Sequence, residues 1–200
     1  VARLILASAS AARRRLLEAA GIEAEVRVSG VDETLEAGGD VTSAVATLAR
    51  RKAEAVASLT GLTRAGDGLV LGCDSLLDLD GRALGKPGSA AEATARWRAQ
   101  RGRVGHLRTG HHLIDLASGR SASGVASTAV RFGWPSDAEI AAYVATGEPL
   151  GVAGAFTLDG RGAPFVDGVD GDPANVVGLS LPLLRRLLGE LGTGIVELWS

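Results

Sequence analysis

Apolar positions along this chain change their period several times, and each change marks an element. The run RLILA over Arg3–Ala7 is too short for helical spacing and reads as a buried strand. Ser10 then stands as an N-cap before Ala11 and Ala12. Apolar character returns at Leu16, Leu17, Ala19 and Ala20, and Gly21 is a C-terminal stop, which predicts a helix ending at Ala20. Strand followed directly by helix opens an α/β fold. Ala24–Val28 suggests a second strand, and Gly30–Asp40 a polar loop whose Asp40 caps a helix running to about Ser58.

Further along, Leu69–Ser75 reads as a short central strand that ends in an acid, followed by LLDLDGRAL, in which Asp80-Gly81 is a two-residue hairpin turn. Ser89 with Glu92 predicts a capping box for a helix to about Gln100, and Ser136 with Glu139 a second one for a helix ended by Gly147. Between them His106–Phe132 reads as a long hairpin turning near ASGRSASG. After a stretch rich in Gly and Asp, Leu181–Leu191 forms a last amphipathic helix.

Composition narrows the classes of function. Two hundred residues, 46% of them apolar, can bury a full core. A net charge of −2 argues against a general binder of nucleic-acid polymers or membranes, so anion chemistry must come from local basic clusters. One cysteine, Cys73, excludes an internal disulfide and points to a reducing, cytoplasmic setting. The N-terminal apolar run falls short of the roughly 7–15 residues of a signal-peptide core, and no run approaches the ~18 of a spanning helix.

Three places carry candidate chemistry. In the helix after Asp40, Val45, Leu48, Ala49, Val56 and Leu59 recur at three- and four-residue spacing, and Lys52 falls within that stripe. Either its methylenes line the core while the ammonium snorkels to water, or the ammonium is aimed at an anion. The pattern leaves both open. Asp74 closes the apolar run 69–73, where an acid is well placed for a metal or an attacking water. Hairpin register would pair Leu79 with Arg82, Leu77 with Leu84 and Ser75 with Lys86, bringing Lys86 beside Asp74-Ser75, although strict alternation puts Asp74 and Lys86 on opposite faces.

The third place is SASAARRRLL, Ser8–Leu17, with Arg13, Arg14 and Arg15 in or next to a helix's first turn. Cations there cost ~0.3–1 kcal/mol each against the helix dipole. A serine-bearing loop entering a helix N-terminus is also a ready anion site, so the arginines read as a phosphate clamp. The bland alternative is a solvated basic face with Arg14 paired to Glu18. Other motifs fall away. GRALGKP is one residue short of a P-loop and has Pro87 where Ser/Thr would hold magnesium. His106, His111 and His112 do not suit a three-histidine metal site, since 111 and 112 fall on opposite faces of a strand.

Five blocks in register, LILASASAARRRLL, VDET, LARRKA, LGCDSLLDLDGRALGKP and the tail from GEPLGVAGAF to LSLPLLRRLL, resemble the Maf family of nucleotide pyrophosphatases over nearly the whole chain. The resemblance implies a single domain over residues 1–200 with a mixed, twisted α/β sheet flanked by helices, in two lobes around a central cleft. It implies hydrolysis of a nucleoside triphosphate between the α and β phosphates by a house-cleaning enzyme that uses a divalent cation, magnesium or manganese. By motif position Asp74 matches the family's proton acceptor, Glu33 its loop acid, Lys52 and Lys86 its two lysines, and Ser8 and Arg13 its phosphate-binding positions, with Arg14 beside them. Glu33 and Asp74 are the expected metal ligands. A homodimer is implied by the resemblance, and a septum-inhibitor role through protein binding is the competing reading.

The positions that select the base in the family correspond to Ala12, Ser75 and Asp159. One subgroup, acting on thymidine and uridine triphosphates, carries Arg, Thr and Gln there; another, acting on 7-methylguanosine triphosphate, carries Trp, Gln and Glu. This chain matches neither set. The family's usual histidine in SGRxH corresponds to Gly105, and Ser180 stands where a proline is usual.

Overall fold

A computed structural model describes residues 2–34, 39–59 and 68–200. The described elements are, in chain order, β1 (Leu4–Leu6), α1 (Ala11–Ala19), β2 (Ala24–Val26), α2 (Val41–Ala57), β3 (Leu69–Leu79), β4 (Arg82–Leu84), α3 (Ala90–Gln100), β5 (Val104–Asp115), β6 (Ser121–Phe132), α4 (Asp137–Ala145), β7 (Val166–Asp170), α5 (Pro173–Val177) and α6 (Leu181–Leu191). Their strands form one mixed seven-stranded sheet ordered β2-β1-β3-β5-β6-β7, with β4 paired to β3. β1 runs parallel to β2 and β3, while β3–β4 and β6–β7 are antiparallel. This is the α/β class expected. Of the loop expected over Gly30–Asp40, residues 35–38 lie outside the described residues.

The chain divides into two compact units: Val1–Asp74 with Thr109–Ala126 and Gly178–Ser200, and Ser75–Arg108 with Ser127–Val177. In the first unit, strand alternation sorts side chains to two faces. Leu4 and Leu6 of β1 join Leu69, Leu71 and Cys73 of β3 in a cluster with Leu17 of α1 and the Leu-rich face of α6. Ile5 and Ala7, with Val70, instead pack on Ala53 and Val56 of α2. The period of two therefore assigns Val70, Gly72 and Asp74 to the α2 face.

Gly72 lets α2 come close. A Cβ built there would lie 2.1 Å from the Ala49 carbonyl oxygen and 2.8 Å from the Ala53 nitrogen. Gly110 of β5 is equally crowded, its Cβ position 2.2 Å from the Val45 carbonyl oxygen. Two glycines thus seat the helix backbone directly on the sheet.

The second unit is built on aromatic rings. Trp97 of α3 meets Phe132, Tyr143 and Phe165 edge-on at centroid distances of 5.7–5.8 Å. Phe132 also meets Phe156 at 5.0 Å. The buried indole donates from Nε1 to the Ala155 carbonyl at 2.7 Å, so its polar atom is satisfied inside the core.

Several local expectations hold. Ser10, Asp40, Ser89 and Ser136 each accept from the backbone N–H three residues on, and Ser180, not foreseen as a cap, does the same. Asp80 and Gly81, with φ of 51° and 80°, form the tight turn, and the rungs Leu79–Arg82 and Leu77–Leu84 pair as expected.

Others need correcting. β3 does not end at Asp74 but runs on to Leu79, because its backbone keeps pairing while the acid finds a counter-ion. β4 stops at Leu84, so Lys86 lies beyond the paired segment. Ser89 and Glu92 do not form a reciprocal box: the Glu92 carboxylate accepts instead from the Gly88 N–H at 2.7 Å. Leu59, expected in the apolar stripe, lies past the end of α2 and is exposed.

Candidate active site

The site in the first unit follows from how α2 sits on β3. One turn of helix beyond Leu48, Lys52 points at the face that carries Gly72 and Asp74. Its Nζ lies 2.6 Å from Asp74 Oδ1 and 2.6 Å from Glu33 Oε1. The Lys52 and Asp74 side chains are 7% and 8% exposed, whereas Glu33 reaches in from the loop at 54%. Lys52 therefore does not snorkel. A buried ion pair costs about as much in desolvation as it returns, so its placement is poorly explained by stability and well explained by chemistry.

The opening arginines divide. Arg13 turns inward to 8% exposure, donating from Nε to the Gly178 carbonyl at 2.7 Å and from a terminal nitrogen to Ser8 Oγ at 3.0 Å. Ser8 is also buried, and its Oγ accepts from the Ser10 N–H at 3.2 Å. Arg14 stays in solvent with its Nε 3.4 Å from Glu18, the arrangement of a solvated face. Arg15 is exposed.

Gly178 has φ of +129°, and a Cβ there would come within 3.5 Å of two Arg13 side-chain atoms, so the carbonyl that seats Arg13 belongs to a residue required to be glycine. Cys73, next to Asp74, is fully buried, and that burial pushes its thiol up to about 11 against the pull of Arg13 and Lys52. Both cations are thus felt at one point of β3.

The remaining candidates sit as follows. Ala12 is half-buried on α1. Ser75, Lys86 and Asp159 belong to the second unit, with Ser75 half-buried in β3 and Lys86 and Asp159 exposed.

His111 and His112 serve structure. His111 is buried, and its Nε2 accepts from the Ser180 N–H at 2.9 Å, which places the ring proton on Nδ1, 3.1 Å from the Thr109 carbonyl. His112 lies 2.6 Å from Ser123 Oγ, and burial holds its pKa below the ordinary value, with Glu54 pulling the other way. Among the described residues no group of three or more His, Cys, Asp and Glu side chains is placed to hold a metal. Glu33 and Asp74, gathered on one ammonium, are nonetheless a hard oxygen pair of the kind magnesium takes when phosphates and water complete its shell.

Residues 3–191 match the family model described as Maf-like protein. The chain belongs to the Maf family. A nucleoside triphosphate pyrophosphatase of Streptomyces coelicolor is 63% identical over 198 residues, covering 99% of this chain and 95% of the relative. A Salinispora tropica protein of the same name is 59% identical over 200 residues, covering 99% and 88%. One from a Cyanothece species, at 52% identity, covers 98% and 99%. The resemblance read from five sequence blocks is therefore correct for the family.

The sequence reading missed three residues: Gly72, Gly178 and Ser180, the last as partner of His111. Gly72 did leave a signal, a glycine inside an otherwise apolar strand.

Proposed function

We propose that this Maf protein is a nucleoside triphosphate pyrophosphatase, hydrolysing the bond between the α and β phosphates to release monophosphate and pyrophosphate. The observation that carries the reading is the buried Lys52 bridging Asp74 and Glu33 at 2.6 Å each. A surface built for protein binding has no use for an ammonium fixed at 7% exposure, and the relatives' names point the same way.

In this reading Asp74, held in place by Lys52 at 2.6 Å, takes the proton of the attacking water. Lys52 and Arg13 neutralise charge on phosphate oxygens, and the Ser8 loop and α1 N-terminus hold the phosphate chain. Glu33 and Asp74 would hold a divalent cation, which when bound adds positive charge against the phosphate oxygens. Ala12, Ser75 and Asp159 stand at the positions that the resemblance gives for base selection, and their residues match neither subgroup.

The test is pyrophosphate release from a panel of ordinary and modified nucleoside triphosphates with magnesium, with manganese and with chelator. Release of pyrophosphate and monophosphate in equal amounts, abolished by chelator, is expected. Folded, metal-supplied protein that releases none from any substrate would sink the reading, and release undiminished by chelator would sink the metal.

A further inference from the structure

Glu148 opens a short 3-10 turn, Glu148–Gly151, in the second unit, and no role in the chemistry above falls to it. Four donors converge on its carboxylate. Thr157 Oγ1 donates to Oε1 at 2.6 Å, the Tyr143 hydroxyl at 3.0 Å and the Gly162 N–H at 3.2 Å, while the Arg161 N–H donates to Oε2 at 3.1 Å. Three of the four come from the segment Thr157–Gly162. Glu148 is partly buried, and although burial raises its pKa, these hydrogen bonds outweigh it and hold the carboxyl below its ordinary range.

The segment is shaped to fit that carboxylate. A Cβ on Gly160 would lie 2.9 Å from both Glu148 oxygens and 2.8 Å from Thr157 Oγ1. One on Gly162 would lie 2.6 Å from the Tyr143 hydroxyl and 2.8 Å from the Thr157 nitrogen. Gly162 also donates to Thr157 Oγ1 at 3.2 Å, closing the turn on itself. Upstream, Ala155 holds a left-handed φ of 60° while its carbonyl accepts from Trp97. Both ends of the segment are pinned, and Asp159 stands exposed between them.

We propose that Glu148 is a positioning residue: it fixes the Thr157–Gly162 turn in one shape, and so fixes how Asp159 is presented for base selection. This rests on Asp159 as a selector of the base. A turn holding two glycines has many shapes in water, and a carboxylate accepting from two hydroxyls and two backbone N–H groups selects one of them. Base discrimination is a difference between hydrogen-bonded and unpaired contacts, so it depends on that shape more than the chemical step does.

The test is Glu148→Gln, which keeps the size but puts an NH₂ group among four donors. Two readouts are needed: amide hydrogen exchange across 157–162, and KM and kcat for ATP, GTP, CTP, UTP and dTTP. Exchange at the Arg161 and Gly162 amides should quicken at least about tenfold. KM for the preferred triphosphate should rise about tenfold while kcat falls far less, flattening the preference. Asp159→Asn should flatten it similarly, and the double variant should add little to either single one.

Unchanged exchange, or quickened exchange with the base preference intact, overturns the proposal. A preference left intact by Asp159→Asn overturns the proposal as well, whatever Glu148→Gln does. If the Gln variant loses its cooperative melt, Thr157→Val, which removes one donor, is held to the same two readouts.

Discussion

Lys52 and Asp74 sit 2.6 Å apart with both side chains out of water, and each makes the other's charge tolerable there. Asp74→Asn keeps the shape and removes the proton acceptor. Turnover should fall at least about a hundredfold, the scale of lost general-base help, in a protein that still melts cooperatively. Pyrophosphate release beside a thermal melt checks it, and an unchanged rate would take Asp74 out of the mechanism. Lys52 was legible in the sequence because a charge interrupting an apolar stripe is conspicuous. The choice among the three arginines was not, since they look alike in the chain and the carbonyl that singles out Arg13 lies 165 residues away. Glu148 was illegible for the same reason, its donors being a hydroxyl five residues off and a turn up to fourteen residues off.

Elements were easier to read than contacts. Caps and turns depend on neighbours in sequence, so Ser10, Asp40, Ser136 and Asp80-Gly81 announced themselves. Strand length did not, because the acid and serine in the middle of β3 look like an end until the charged helix above them is known. Gly72 is where α2 and β3 depend on each other. Gly72→Ala would push a methyl into helix backbone, costing about 1–3 kcal/mol and displacing Lys52 from Asp74. Pyrophosphate release should then drop even in the fraction that denaturant titration shows to be folded.

The start of α6 offers a cleaner separation. Ser180→Pro restores the family's usual residue but deletes the N–H held by His111, costing about 1–3 kcal/mol, while Ser180→Ala keeps the N–H and loses only the cap, about 1 kcal/mol. Equal stability of the two variants would show that the His111 bond contributes nothing.

For the molecule as a whole, acid is the revealing variable. The carboxyls of Glu25, Asp115, Asp137 and Glu148 are held below their ordinary range by hydrogen bonds and arginines. A folded pKa below the unfolded one gives stability that is complete above the unfolded value and is lost as pH falls through the folded one. His112, also lowered, works in a higher window: below about pH 6.5 the unfolded chain takes that proton first. The melting temperature should therefore decline gently below about pH 6.5 and steeply below about pH 4. His112→Asn should remove the gentle decline alone, and a flat profile down to pH 4 in the unaltered protein would contradict it.

The first unit is also closed by contacts between distant segments of the chain. Ala2 donates to the Glu197 carbonyl, Ser200 to that of Gly21, and Arg13 to that of Gly178, so segments far apart in sequence complete one another. A variant cut before Gly178 would keep Lys52 and Asp74 but lose the carbonyl that seats Arg13.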